Sequence, residues 1–228
     1  MAAFRRAAKA ACGSTGAQDI PQRSRRHTAA KERNMEKTNA KGQTLEQFLA
    51  AYNPNKYRKP GVTADCVIFC EDKVLMVRRG NHPFIGELAF PGGFAEAGES
   101  TERTAERELE EETGAKNVPM RQFYTASEPG RDPRDWTVSV CYTATLPALP
   151  AVSGADDAAS ADWYDVSVKR DGKFTELTLG GRDGGASVRL EVVRDAFGKV
   201  DVEKTRVIGS GIAFDHAKLL LRALEERA

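Results

Sequence analysis

Three glutamates in one short segment have the spacing needed to hold a divalent cation. Glu108, Glu111 and Glu112 stand at i, i+3 and i+4 within the stretch 100–113, which has the composition of a helix. Residues at this spacing project from one helical face, so their carboxylates lie close together. Mg²⁺ prefers oxygen ligands and is usually held by one or two carboxylates together with substrate phosphates. The spacing predicts a metal site, and the alternative is an ordinary solvated acidic face.

The residues around this helix favour the metal site over the solvated face. Gly92 and Gly93 precede the helix and allow the backbone to turn tightly, which would bring a carbonyl near the glutamates. Glu99 lies near the start of the helix, and Arg107 directly precedes Glu108. We therefore expect a Glu99–Arg107 ion pair to hold the loop against the helix, since a buried pair of this kind favours one fixed geometry.

The elements that must position these residues alternate between strands and helices. A hairpin is predicted from two apolar runs, 67–69 and 74–77, on either side of a polar turn. The helix has Ser100 or Thr101 as its N-cap, and Gly114 is placed to end it. Further predicted elements are strands at 122–125, 137–146 and 163–164, hairpin material at 171–207, and helices at 44–52 and 215–226. This alternation predicts an α/β fold with a mixed sheet.

The first 42 residues differ in charge from the rest of the chain. Residues 1–42 hold ten Lys and Arg against three Asp and Glu, whereas residues 43–228 hold 24 against 30. Because they offer no apolar face to bury, we expect residues 1–42 to be disordered and residues 43–228 to form one domain. A targeting segment and a native start at Met35 are the alternatives. Without roughly 18 consecutive apolar residues, no membrane span is predicted.

One continuous motif resembles a known family signature. Read from Gly93, the chain has five residues, then Glu99, seven further residues, and then the run Arg107-Glu108-Leu109-Glu110-Glu111-Glu112-Thr113-Gly114-Ala115. This pattern resembles the Nudix box, with one departure at Ala115, where the family usually has a larger aliphatic residue. The resemblance covers about residues 60–228 and implies a Nudix-type α/β/α sandwich with a mixed β-sheet.

The resemblance also implies roles for the residues of the box. Glu108, Glu111, Glu112 and the carbonyl of Gly93 would bind Mg²⁺, or alternatively Mn²⁺. Arg107 would orient the glutamates, with Glu99 as its structural partner. The expected activity is hydrolysis of a phosphoanhydride bond in a nucleoside diphosphate linked to another group.

The general base is less well determined by the sequence. Members of the family use either the residue at Glu112 or an acid from a later loop, and the loop candidates here are Asp156 and Asp157. We take Asp157 as the catalytic candidate. Two solvated loop aspartates are the alternative.

Segments outside the box narrow the substrate. The stretches 84–94, 131–134 and 213–216 are similar to the ADP-ribose pyrophosphatase group, whose reaction yields AMP and ribose 5-phosphate. Guanidinium groups suit phosphate recognition, and an aromatic ring can stack on adenine. The predicted substrate contacts are Arg79, Arg131, Arg134 and Phe84, with Tyr124 or Trp136 as other stacking candidates. A core role for each aromatic residue, and a capping or packing role for His216, are the alternatives.

Competing functions remain open at this point. NADH, diadenosine polyphosphates and oxidised nucleotides are other candidate substrates. An ADP-ribose sensor would be expected to have a degraded box, and we expect no carboxy-terminal DNA-binding module after residue 216. The basic tail alone would give only weak, salt-dependent nucleic-acid binding. We expect a cytoplasmic protein with reduced cysteines and a small nucleotide as its partner. A monomer and a homodimer are the alternatives for its assembly.

Overall fold

A computed structural model describes residues 37–152 and 158–227 of the chain. The chain divides into two compact units, residues 1–57 and residues 58–228. The described part of the first unit contains helix α1 (Leu45–Ala51), which starts at a capping box formed by Thr44 and Gln47. No residue of α1 is buried. The domain boundary predicted from the sequence, between residues 42 and 43, stays a prediction.

The second unit is built around one mixed β-sheet. Its strands run in the order β10-β9-β8-β7-β2-β1-β6-β5, with β3 beside β2 and β4 beside β1. The pair β1·β6 is parallel, whereas the pairs β1·β2 and β2·β7 are antiparallel. The strands are β1 (Gly61–Cys70), β2 (Lys73–Arg79), β3 (Leu88–Ala89), β4 (Gly92–Phe94), β5 (Arg121–Ala126), β6 (Thr137–Leu146), β7 (Ala158–Asp171), β8 (Phe174–Gly180), β9 (Ala186–Glu191) and β10 (Arg206–Ile208). The predicted hairpin is β1–β2.

Two helices cover opposite faces of the central strand β1. Side chains alternate between the two faces of a strand. Val67 and Phe69 belong to the apolar cluster that contains the leucines of α3 (His216–Arg227). Cys66 and Ile68 belong to a second cluster with Leu109 of α2 (Thr101–Thr113). The α/β class and the α/β/α layering predicted from the sequence are confirmed.

Helix α2 begins and ends at the predicted residues. The side chain of Ser100 accepts a hydrogen bond from the backbone N–H of Arg103, as an N-cap does. Gly114 ends the helix in the left-handed conformation with φ 75°, which glycine adopts without steric cost. These two caps set the first and last turns of α2 and therefore the positions of its glutamates along the helix. In the described ranges, no helix combines the length and apolar character needed to cross a bilayer.

Candidate active site

A polar pocket lies where α2, β1, β4 and the segment preceding α3 meet. Its lining includes two of the predicted metal ligands, Glu108 and Glu112, together with the backbone of Gly92 and Gly93. Most of the remaining lining residues are charged or aromatic, and they include Asp65, Arg79, Phe94, Arg131, Asp132, Arg134, Phe214 and His216. Sequence segments far apart in the chain therefore converge on the glutamates.

The glycine pair is required because the backbone of β4 passes very close to its neighbours. A Cβ on Gly93 would lie 2.4 Å from Oε1 of Glu108, and a Cβ on Gly92 would lie 2.2 Å from the carbonyl oxygen of Ala64. Neither contact is tolerated by a real side chain. The backbone N–H of Gly92 also donates a hydrogen bond of 3.0 Å to Oε2 of Glu112. Glycine thus brings the strand backbone and both carboxylates together.

Arg107 joins the loop to the helix, as the sequence predicted. Its Nε and Nη2 donate to both carboxylate oxygens of Glu99 at 3.0 Å, and Nη2 also donates to the carbonyl of Phe94. Its Nη1 donates to Glu108 at 2.7 Å and to Glu111 at 2.9 Å. The hydrogen bonds from Arg107 lower the pKa of Glu99 to about 2. Because a single guanidinium contacts three carboxylates, it offsets the repulsion among the acidic residues of α2.

Glu111 differs from the other two glutamates in its position. Its side chain is 45% exposed and paired with Arg107, whereas the side chain of Glu108 is 14% exposed. Glu111 does not belong to the pocket lining described above. In residues 37–152 and 158–227, no three acidic, histidine or cysteine side chains converge in a metal-binding arrangement. The role of Glu111 as a metal ligand stays a prediction.

The donors that do line the pocket fit a hard divalent cation. Glu108 and Glu112 supply carboxylate oxygens beside the strand backbone at Gly93, which is the set of one or two carboxylates with which proteins hold Mg²⁺ when phosphates complete the shell. Burial, together with the nearby charges of Glu108 and Asp65, raises the pKa of Glu112 to about 8. The hydrogen bond from Gly92 and the charge of Arg79 offset this effect only in part, and a bound cation would compensate the remaining charge.

Another part of the pocket wall combines guanidinium groups with aromatic rings. The guanidinium carbon of Arg134 lies 5.0 Å from the ring centre of Phe94 and 5.5 Å from that of Phe214. The guanidinium carbon of Arg79 lies 5.0 Å from the Phe214 ring. The buried carboxylate of Asp132 accepts two hydrogen bonds from Arg134. Oδ1 accepts from Nε at 3.0 Å, and Oδ2 accepts from Nη2 at 2.7 Å. Asp132 therefore holds this guanidinium in place between the two rings.

Arg131 has a different environment from Arg134. Its Nε and Nη2 donate to the two oxygens of Asp215 at 2.9 and 2.7 Å, and Nη2 lies 3.8 Å from Oδ2 of Asp65. Its side chain is only 5% exposed. Burial alone would lower the pKa of Arg131, but the hydrogen bonds and charge of Asp215 raise it. The fork of Arg131 that would grip a phosphate is therefore engaged within the protein.

The remaining predicted residues fall at varied distances from the site. Arg79 lines the pocket, but Phe84 does not and packs edge-on against Phe214 with ring centres 4.8 Å apart. Tyr124 packs against the apolar core, and Trp136 precedes β6, so neither lines this pocket. Asp156 and Asp157 lie outside the described residues. The substrate and base assignments for these positions stay predictions.

Several residues of the pocket were not identified from the sequence. Asp65, Asp132, Phe94 and Phe214 were not singled out, and His216 was considered mainly as a packing residue. Asp65 interrupts an otherwise apolar buried strand, and that is a signal that sequence reasoning can use. Phe94 and Phe214 gave no such signal, because an isolated aromatic residue is more often part of a core.

Comparisons with known proteins agree with this geometry. The NUDIX domain model matches residues 59–173. An ADP-ribose pyrophosphatase of Methanocaldococcus jannaschii is 36% identical over 111 residues, which are 49% of this chain and 65% of that protein. The chain thus spans less than two thirds of that curated relative.

Two solved structures share the fold. A MutT/nudix family protein from Enterococcus faecalis has a TM-score of 0.64 and 31% identity, with 86% of this chain and 73% of the other covered. The NUDIX domain of Shewanella oneidensis NrtR, complexed with ADP ribose, has a TM-score of 0.58 and 28% identity, with 82% and 100% covered. The domain match spans half of the sequence and includes every residue of the glycine–glutamate motif. On this evidence, the chain belongs to the Nudix family.

Proposed function

We propose that this protein is a Nudix hydrolase that cleaves ADP-ribose to AMP and ribose 5-phosphate with Mg²⁺, or alternatively Mn²⁺. The observation that carries the proposal is the arrangement of one pocket, in which Glu108 and Glu112 face a wall of guanidinium groups and aromatic rings. A diphosphate that joins a nucleoside to a sugar needs both the carboxylates, to hold a metal ion, and the guanidinium and aromatic groups, to hold its phosphates and base. The similarity to an ADP-ribose pyrophosphatase and to a domain complexed with ADP ribose supports the choice of substrate.

The roles of the residues follow from their positions in the pocket. Glu108, Glu112 and the carbonyl of Gly93 would hold the cation, and Glu111 would join them after leaving Arg107. When bound, the cation would neutralise phosphate charge and lower the pKa of a coordinated water. Arg107 keeps Glu108 and Glu111 oriented. Glu112 or Asp157 would accept the proton of the attacking water as general base.

The cationic wall would hold the rest of the substrate. Arg134 and Arg79 are proposed to contact phosphate oxygens, because both guanidinium groups line the same pocket as the glutamates. Phe94 is 44% exposed at the same pocket, so its ring is available to a planar base. Arg131 would support this wall from behind through Asp215. Phe84 would act in the same way by packing on Phe214.

A cleavage assay with defined products tests the proposal. We expect AMP to form from ADP-ribose with Mg²⁺, and no AMP to form after chelation. Glu112→Gln and Glu111→Gln should each lower kcat by orders of magnitude while the fold persists, and Glu110→Gln on the exposed face is the matched control. If NADH, diadenosine tetraphosphate or 8-oxo-dGTP gives a kcat/KM tenfold higher, the substrate proposal is wrong and the family membership is unaffected.

A second candidate function is the sensing of ADP-ribose without cleavage. The observation that favours it is the NrtR domain complexed with ADP ribose. All of that domain matches the fold of this chain, and 82% of this chain is covered. Calorimetric binding of ADP-ribose with no AMP release, at any divalent metal concentration, would establish sensing over hydrolysis.

The cellular location, partners and assembly of the protein are also part of the proposed function. We propose a cytoplasmic protein that forms a homodimer and whose partner is a small nucleotide, with no specific nucleic acid and no membrane. Sedimentation velocity with and without ADP-ribose, and DNA binding at two salt concentrations, are the direct measurements.

A further inference from the structure

The floor of the pocket contains a donor and an acceptor that do not contact each other. His216 Nε2 and Asp65 Oδ1 are 3.9 Å apart, which is beyond hydrogen-bond distance. Both residues are almost fully buried and both line the pocket. Within residues 37–152 and 158–227, the only fully buried side-chain nitrogen or oxygen without a hydrogen-bond partner is Arg222 Nε. The two atoms therefore open into the pocket.

The tautomer of His216 is set by the backbone. The N–H of Phe90 donates to Nδ1 of His216 at 2.9 Å, and the imidazole stacks on the Phe90 ring with centres 4.7 Å apart. A nitrogen that accepts a hydrogen bond carries no proton, so the proton of the neutral ring is on Nε2. Burial also disfavours the charged ring, because it lowers the pKa of His216. Nε2 is thus a fixed donor directed at the pocket floor.

Asp65 is held equally firmly, from its other oxygen. The hydroxyl of Ser139 donates to Oδ2, and Nη2 of Arg131 lies 3.8 Å from the same atom. These contacts leave Oδ1 as the oxygen that faces His216. An oxygen atom placed about 2.8 Å from both Nε2 and Oδ1 fits a gap of this width with ordinary hydrogen-bond lengths.

We propose that His216 Nε2 and Asp65 Oδ1 together bind one sugar hydroxyl of the nucleotide substrate. A hydroxyl can accept from Nε2–H and donate to Oδ1 through a single oxygen atom, whereas a phosphate oxygen without a proton only accepts and a base edge has its donor and its acceptor on two different atoms. The two residues would be specificity determinants close to the proposed metal ligands, because Asp65 pairs with Gly92, whose backbone N–H donates to Glu112. The inference rests on the proposed function, because it deepens the recognition of ADP-ribose.

The inference is tested by combining substrate analogues with the variant His216→Asn. The kcat/KM of the wild type is measured for ADP-ribose and for analogues that each lack one sugar hydroxyl. For one analogue, kcat/KM should be about tenfold to a hundredfold lower than for ADP-ribose. The missing hydroxyl leaves two buried polar groups of the protein without a hydrogen-bond partner. In His216→Asn, the amide oxygen can still accept from Phe90 while the Nε2 donor is gone. The penalty for that analogue should then fall to about threefold or less.

Two further variants keep the result interpretable. Asp65→Asn should also remove the penalty, and it replaces His216→Asn if that variant has a low Tm. Thr143→Ala is the matched control, because it deletes a buried hydrogen bond of 2.9 Å from β6 to the carbonyl of Val67 in β1, and Thr143 does not line the pocket. It should lower Tm and keep the analogue penalty. A uniform response of the wild type to all analogues, or a penalty undiminished in both His216→Asn and Asp65→Asn, overturns the inference.

Failure of the proposed function is recognised separately. If the wild type does not cleave ADP-ribose, calorimetry of the same analogues measures the hydroxyl penalty in binding. A wild type that binds all of them equally, or binds none, overturns the inference in that case too.

Discussion

Arg131 and Arg134 are three positions apart in sequence, yet substitution should mainly reduce stability at the first and mainly reduce the rate at the second. Arg134→Ala removes a 42% exposed guanidinium from the pocket wall. It should lower kcat/KM for ADP-ribose about tenfold to a hundredfold, mainly through KM, because a charge-assisted phosphate contact is worth about 1.5–3 kcal/mol. Its Tm should fall by less than that of Arg131→Ala: the buried carboxylate of Asp132 loses its guanidinium partner, but that guanidinium is partly exposed and the backbone N–H of Arg134 still donates to Asp132.

Arg131→Ala should instead mainly reduce stability. It leaves Asp215 and Asp65 without their buried cation, and breaking a buried pair costs about 3–5 kcal/mol. We expect Tm to fall by roughly ten degrees, by the usual relation between free energy and Tm. Differential scanning calorimetry and initial rates measure both effects. Arg103→Ala, an exposed arginine on α2, is the control that should change neither. A large KM effect with normal Tm for Arg131→Ala would restore it as a direct substrate contact.

His216 should make stability depend on pH near neutrality. Burial lowers its pKa from the ordinary 6.5, so the unfolded chain takes up a proton below that pH while the folded protein does not. The contribution of His216 to the free energy of unfolding should be at its full value above pH 6.5 and decrease below it. Glu112, whose pKa is raised to about 8, acts in the opposite direction, because its contribution is lost as the pH rises from 4.5 towards 8. A comparison of the wild type with a variant at His216 therefore isolates the effect of the imidazole. Glu99, whose pKa is lowered from 4.5 to about 2, affects stability only at more acidic pH.

Urea unfolding of the wild type and His216→Asn over this range provides the measurement. Relative to the variant, which has no imidazole at this position, the wild type should lose stability below pH 6.5. Parallel pH profiles for the two proteins would show that another group is responsible.

At the scale of elements, sequence reasoning succeeded where the determining interactions are local. Both ends of α2 were predicted, because Ser100 and Gly114 act on their immediate neighbours. The β1–β2 hairpin was predicted for the same reason. The neighbours of β1 were not predicted: its parallel pairing with β6 joins residues more than seventy positions apart, such as Gly61 and Thr137. The pocket floor depends on such pairings, and Asp65 and His216 were therefore missed as partners.

The close approach of β4 and α2 predicts a sharp effect of one methyl group. Gly93→Ala would place a Cβ 2.4 Å from the Glu108 carboxylate, so this carboxylate must leave its position beside the strand. We expect a loss of about a hundredfold in kcat, the size of effect caused by misplacing catalytic groups by about 1 Å.

Gly180→Ala is the matched control for this prediction. A Cβ there meets only the Cβ of Asp165, at an ordinary 4.0 Å. The control should keep wild-type rates. Normal rates for Gly93→Ala as well would show that this contact does not position the glutamates.

At the scale of the molecule, all the proposed site residues that the structure describes belong to the unit of residues 58–228. A fragment of residues 58–228 should therefore keep kcat/KM within about twofold of the full chain and Tm within a few degrees, since no residue of α1 is buried. Side-by-side assays of the two proteins measure this. A loss of most turnover would show that residues 1–57 contribute to the site.

The last helix supplies both the core and the pocket. Its leucines 219, 220 and 221 pack with Val67 and Phe69 of β1, and the adjoining Asp215 and His216 reach Arg131 and Asp65. During synthesis on a ribosome, the complete glutamate motif emerges well before any of these residues. A nascent chain that ends after residue 173, where the family match ends, would already contain the motif and still lack the pocket floor. Activity should therefore appear only after the segment around His216 has left the exit tunnel.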